Sequence, residues 1–153
     1  MVNINLAQNK YVNLISEFEN TNFSSEAYSK NTIIKILEDN HLLKNNTNIF
    51  TITDDDELLG YIIFSINDDF TDIYKIFIRE HDRQKGYATK LIDTVYNLAK
   101  RYNSKKIMIE VRSKNLTANN FYKKNGFNMI SIRKSYYKDP EDDALIYERI
   151  VQC

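Results

Sequence analysis

The sequence predicts a mixed α/β domain, and three observations predict it. Apolar residues alternate along several short stretches, the period of a strand with one buried face. Between these stretches, apolar residues recur every three or four positions, the period of an amphipathic helix. The length of 153 residues and the hydrophobic fraction of 42% suit one domain, 1–153, around one core.

Val2 to Leu6 alternates and reads as a first strand. Tyr11, Leu14, Ile15 and Phe18 lie at helical spacing and predict a helix from about Gln8 to Glu19. Ser24 or Ser25 is expected to cap a second helix holding Tyr28, Ile33, Ile34 and Leu37. Ile49–Thr53 and Leu58–Ile66 read as a hairpin around the acidic turn Asp54-Asp55-Asp56-Glu57. Ile73–Ile78 is a further strand. Ala88, Leu91, Ile92, Val95, Leu98 and Ala99 then mark the clearest helix, running on to Tyr102. Lys106–Val111 is a strand, and Leu116–Lys124 a short helix stopped by Asn125-Gly126, where glycine accepts the left-handed conformation. Phe127–Ile132 and Ala144–Val151 close the chain, giving the order β-α-α-β-β-β-α-β-α-β-β.

No run of about 18 apolar residues occurs, so no membrane span is expected. The N-terminus lacks the basic and apolar regions of a secretory signal, and the lone Cys153 cannot form an internal disulfide. Both point to a cytoplasmic protein. The net charge of zero is uneven: residues 1–74 carry four Lys or Arg against twelve Asp or Glu, and the rest carries 17 against 9. Either the split is incidental to one solvated surface, or a basic half receives a polyanion and an acidic half a cation. No Lys/Arg run exceeds two residues, so a nucleic-acid surface is not expected. His41 and His81 have no evident triad or metal partner, no metal-ligand spacing occurs, and no nucleophile motif occurs.

Chemistry concentrates at Arg83-Gln84-Lys85-Gly86-Tyr87-Ala88-Thr89, a basic loop between a strand and a helix. The first N–H groups of a helix lack internal partners, and the helix dipole adds positive charge there. Such a loop suits a phosphate, and Gly86 lets the backbone approach it. It is neither a Walker loop nor a dinucleotide fingerprint, because the required glycines are missing. An ordinary strand-helix connection carrying surface cations is the plain alternative.

Arg83-x-x-Gly86-x-Ala88 resembles the pyrophosphate-binding motif of the GCN5-related N-acetyltransferases (GNATs). The strand Ile107–Arg112 and the segment Asn115-x-x-Ala118-x-x-x-Tyr122-x-x-x-Gly126-Phe127 resemble that family's later motifs, so the resemblance covers about Ile73–Phe127. Glu110-Val111-Arg112, Asn115, Tyr122 and Arg133–Tyr137 look most like the RimI group, which acetylates the N-terminal alanine of ribosomal protein S18. Phe23–Tyr28 is only loosely similar to that group's Phe-x-x-Pro-Trp-Ser entry, because the Pro-Trp pair is absent.

The resemblance implies a central, mixed, mostly antiparallel, twisted sheet of about seven strands flanked by about four helices. It also implies an acyltransferase that uses acetyl-CoA and no metal, by direct transfer in a ternary complex. Ile76, Phe77 and Ile78 would pair their backbone with the acetyl-pantetheine arm, or else form an ordinary core strand. Arg83, Gln84, Lys85, Gly86, Tyr87, Ala88 and Thr89 would hold the pyrophosphate, with Lys90 as an extra cation. Asn115 would contact acetyl-CoA, or simply cap its helix.

Glu110 would accept the amine's proton as a partly desolvated base with a raised pKa, or else be a carboxylate paired with a neighbouring Lys or Arg. Tyr122 would give a proton to the departing thiolate, or pack in the core. Tyr136 and Tyr137 are either a hairpin aromatic cluster or a wall of the acceptor groove. The expected acceptor is a protein or peptide N-terminus, a ribosomal protein among them. The alternatives are a small amine, polyamine or lysine side chain, and a non-catalytic CoA-binding module. No membrane partner is expected, and the protein would be a monomer or homodimer.

Overall fold

The computed structural model describes residues 1–39 and 43–152. His41 and Cys153 therefore lie outside the described residues. Among those described, the strands are β1 (Val2–Leu6), β2 (Thr47–Asp54), β3 (Glu57–Ile66), β4 (Thr71–Ile78), β5 (Lys106–Arg112), β6 (Asn128–Tyr137) and β7 (Asp142–Ile150). The helices are α1 (Val12–Asn22), α2 (Lys30–Glu38), α3 (Tyr87–Arg101) and α4 (Leu116–Lys124). The strands form one sheet in the order β1-β2-β3-β4-β5-β7-β6. Every neighbouring pair is antiparallel except β4 and β5, which run parallel. This is the expected mixed, mostly antiparallel sheet, with the expected element order.

Helices cover both faces. α3 lays Leu91, Ile92, Val95, Leu98 and Ala99 against one face, meeting Ile62, Phe64, Ile73, Ile107 and Ile109. α1 and α2 place Ile15, Ile33 and Leu37 on the other face, against Ile49, Tyr61, Ile63 and Phe77. Each fully buried aliphatic side chain contributes about 1.5–3 kcal/mol of burial free energy. β5 alternates cleanly: Ile107, Ile109 and Val111 point into the α3 core, while Met108, Glu110 and Arg112 are half-exposed on the opposite face.

Two helices differ from expectation at their ends for local reasons. The second helix is capped by Ser29, whose hydroxyl accepts the Thr32 N–H, not by Ser24 or Ser25. Ser24–Glu26 instead makes a 3-10 turn, with Ser24 at φ 48°, so Tyr28 lies in the connection before α2. The first helix begins as a 3-10 turn at Asn9 and continues three residues past Glu19.

Two irregularities shape the middle of the sheet. Between β3 and β4 the register shifts, with Ile63 opposite Lys75 and Phe64 opposite Ile73, so Tyr74 is an extra residue in β4. β4 and β5 pair only through Thr71–Ile107, Asp72–Met108 and Ile73–Ile109, then part. Beyond Ile73 the β5-facing edge of β4 has no strand partner among the described residues.

Gly60 is fixed by space. A Cβ there would lie 2.2 Å from the Phe77 carbonyl oxygen and 2.7 Å from Ile78 Cδ1. Gly60→Ala must push β3 and β4 apart beside this split. Overpacking of this kind costs about 1–3 kcal/mol, so the thermal midpoint should fall by about 3–10 °C. Calorimetry checks this, and an unchanged midpoint would refute the close approach.

Candidate active site

The loop from β4 to α3 is built around Asp82, which is 7% exposed. Its carboxylate accepts from Arg79 Nε at 2.6 Å and from Lys85 Nζ at 3.5 Å, with His81 at 3.7 Å. Burial pushes the Asp82 carboxyl up, but the Arg79 bond and charge, then His81 and Lys85, outweigh it and hold it below its ordinary range. The chain then turns through two left-handed residues, Gln84 at φ 62° and Gly86 at φ 84°. Gly86 is the N-cap of α3, and its carbonyl accepts the Lys90 N–H at 3.1 Å. Among the described residues nothing accepts the N–H groups of Gln84 to Thr89. Nothing lies within 4 Å of where a Gly86 Cβ would stand. Open space thus faces a run of unpaired N–H donors at the positive end of a fifteen-residue helix, a cradle that fits a diphosphate.

The expected cations serve this cradle less directly. Arg83 Nε donates back to the Ile78 carbonyl at 2.8 Å, and its guanidinium lies 5.7 Å from the Phe77 ring centre. Lys85 is shared with Asp82, and Lys90 stands 6.0 Å from the Tyr87 ring centre.

The split between β4 and β5 opens a cleft of about 390 Å3. It brings together Ile76 from β4, Glu110 from β5, and Asn115, Ala118 and Tyr122 from the α4 region, under a lip formed by Asn22–Glu26. Phe77 and Ile78 are buried in the two opposite cores, so a ligand would meet their backbone only. Asn115 caps α4, accepting the Ala118 N–H at 3.1 Å while also lining the cleft.

Tyr122 is 3% exposed, stacked edge-on to Phe121 and Phe127. Burial pushes its phenol upward, which keeps it protonated. Its hydroxyl has no hydrogen-bond partner among the described residues, and the side chain forms part of the cleft wall. Asn119 fixes the turn between β5 and α4, donating to the carbonyls of Arg112, Ser113 and Asn115 and accepting Tyr147 O–H at 2.6 Å.

A second groove, of about 920 Å3, shares Tyr74, Lys75, Ile109, Glu110, Arg112 and Tyr137 with the cleft. Glu110 thus stands in the common wall. Its side chain is 35% exposed and pairs with Arg133 Nη1 at 3.1 Å. The side chain is thus partly desolvated, and the ion pair that is the alternative reading is present as well. Asp72 lies in the same groove, where burial and then Glu110 push its carboxyl up. Tyr136 and Tyr137 are 5.1 Å apart edge to face, the expected aromatic cluster, and both line this groove. Burial, then Glu110 and Glu26, raise the Tyr137 phenol to about 12.

The family model described as the acetyltransferase (GNAT) family matches residues 11–127. The chain belongs to the GNAT acetyltransferase family. It is an acyltransferase, and its relatives are named as N-acetyltransferases. An N-alpha-acetyltransferase of Sulfurisphaera tokodaii is 30% identical over 119 residues, covering 69% of this chain and 71% of that protein. A ribosomal protein bS18-alanine N-acetyltransferase of Haemophilus ducreyi is 29% identical over 89 residues, covering 58% of this chain and 61% of that protein. The crystal structure of the ribosomal-protein-S18-alanine N-acetyltransferase from Escherichia coli superposes with a TM-score of 0.83 at 19% identity, covering 100% of this GNAT chain and 96% of that one. At that identity the likeness is one of fold. No helix among the described residues of this GNAT protein is long and apolar enough to cross a membrane.

Sequence reasoning missed Glu19, Lys75, Arg112 and Glu26, which tie the walls of the two cavities together. One signal was present: Glu19 lies four residues after Ile15 on the buried stripe of α1, where a carboxylate is out of place unless paired.

Proposed function

We propose that this chain acetylates the α-amine of a protein N-terminus, in the manner of the RimI group, with acetyl-CoA as donor and direct attack in a ternary complex. One observation carries the reading: Glu110 stands in the wall shared by two cavities, so donor and acceptor can reach it from separate approaches. Acetyl-CoA supplies the acyl thioester. The N–H groups of Gln84–Thr89 hold its diphosphate, and the free edge of β4 at Ile76–Ile78 lies alongside its arm, with Asn115 at the mouth. Glu110 takes the proton that an arriving ammonium must lose before nitrogen has a lone pair to use. Tyr122, kept protonated by burial, gives its proton to the leaving sulfur, and its phenolate takes in turn the proton that the new amide nitrogen releases. Most of the acceleration comes from holding amine and thioester together.

The test offers acetyl-CoA with an alanine-initiated peptide, the same peptide blocked at its N-terminus, and spermidine. Mass spectrometry should find one acetyl group on the N-terminal residue and none on the blocked peptide. Faster turnover of spermidine, or acetylation of a lysine in the blocked peptide, would assign the acceptor to a small amine or a side chain instead.

A further inference from the structure

We propose that Lys75 is a positioning residue for the acceptor: its buried ammonium fastens the segment 23–28 against the β4 bulge. This rests on the proposed function, with the larger groove walled by Tyr136 and Tyr137 as the acceptor's approach to Glu110. The Lys75 side chain is 9% exposed and that of Glu19 is 0%. Lys75 Nζ donates to Glu19 Oε1 at 2.6 Å and to the Glu26 carbonyl. Its charge lies 4.2 Å from the Phe23 ring centre and 4.7 Å from that of Tyr28. Glu19 is itself fully used, accepting Tyr61 O–H at 2.5 Å and the Tyr28 N–H at 2.9 Å.

α1 and the connection to α2 therefore converge on a cation carried by β4, and β3 joins them through Tyr61 on Glu19. An ammonium has three donors. Two are spent on oxygens and the charge also faces two rings, so the protein itself engages most of this cation. Lys75 shapes the cavities without serving them directly.

The segment it holds is a wall of both cavities, since Ser25 and Glu26 line each of them. A second tie runs from the same place. Arg112 donates to Glu26 Oε2 at 3.0 and 3.1 Å, and to the carbonyls of Lys138 and Pro140 at 3.2 and 2.7 Å. Glu26 thus sits between Lys75 through its carbonyl and Arg112 through its carboxylate. A buried ion pair is seldom a gain in stability over apolar packing of the same volume. This one is better understood as fixing where the segment stands.

The test is Lys75→Met in the full chain, with Lys75→Arg beside it. Amide exchange at Ala27 and Tyr28 should quicken by about tenfold or more, while amides of α3 and β5 hold their rates. The KM for the N-terminal peptide should rise by about tenfold, several times more than the KM for acetyl-CoA, whose cleft the same segment also borders. Lys75→Arg, which keeps charge and ring contact, should recover most of the difference. Unchanged exchange at residues 27 and 28 in folded Lys75→Met overturns the proposal. So does a uniform quickening of all amides, or an equal rise in both KM values. If Lys75→Met does not fold, Tyr28→Leu removes one ring of the cage, and an unchanged peptide KM in it overturns the proposal as well. Absence of peptide turnover by the wild type would sink the acceptor reading alone, because the exchange measurement still judges Lys75.

Discussion

Glu110→Gln should lower kcat/KM by about 10^2–10^4 near neutral pH. The amide keeps the shape of the side chain and removes only its capacity to take a proton. The loss should also depend on pH in a particular direction. An α-amine titrates near about 8, so above that value water has already removed the proton. The deficit of Glu110→Gln should therefore shrink as pH rises through the acceptor's own pKa. If Glu110 served only to hold Arg133 at 3.1 Å, the deficit would be equal at every pH. The melting temperature should move little, since a half-exposed ion pair contributes about 0–1 kcal/mol. A kcat/KM profile from pH 6 to 10, with both proteins at saturating acetyl-CoA, decides between the two. Tyr122→Phe in the same assay should reduce kcat without that pH trend, because protonating the leaving sulfur does not depend on the acceptor's state.

Gly86→Val should abolish most of the affinity for acetyl-CoA. At φ 84° a β-branched residue is severely strained, so the turn that presents the N–H groups of Gln84–Thr89 would distort. Saturation at about 100 times Kd should raise the wild-type melting temperature by about 5–10 °C. In Gly86→Val the unliganded protein should melt somewhat lower through strain, and the ligand-induced rise should largely vanish. A variant that melts lower yet keeps the full rise would show that the diphosphate binds elsewhere. Gly86→Ala, smaller and unbranched, should fall between the two.

Much of this fold was legible because its signals are local. α3 shows five buried residues at helical spacing, and β5 alternates without exception. α4 was readable at both ends, from the Asn115 cap and the Asn125-Gly126 stop. The start of α2 was misread because Ser24, Ser25 and Ser29 are equally good caps in isolation. Only the packing of Tyr28 against Lys75 and Glu19 selects the last. β6 runs on to Tyr137, past the point where sequence reasoning ended it, because it is an exposed edge strand and burial imposes no period on it.

Within the site, Glu110, Asn115 and Tyr122 stood out through their order along the chain. The partners that hold the lip at Asn22–Glu26 did not. Glu19 and Lys75 are 56 residues apart, Glu26 and Arg112 are 86 apart, and nothing local announces either pairing.

The parting of β4 from β5 leaves four strands on one side and three on the other, stitched along the backbone by three residue pairs. α3 is laid across that join, touching β2, β3, β4 and β5. A guest molecule carrying amides, slid into the gap, becomes the missing rung between two half-sheets. Loading the donor would then stiffen the whole body, and slower amide exchange in β1 and β6 at saturating acetyl-CoA is the expected result. Occupancy would reach the far edges β1 and β6 as a change in rigidity, with no need for any side chain to move along the way.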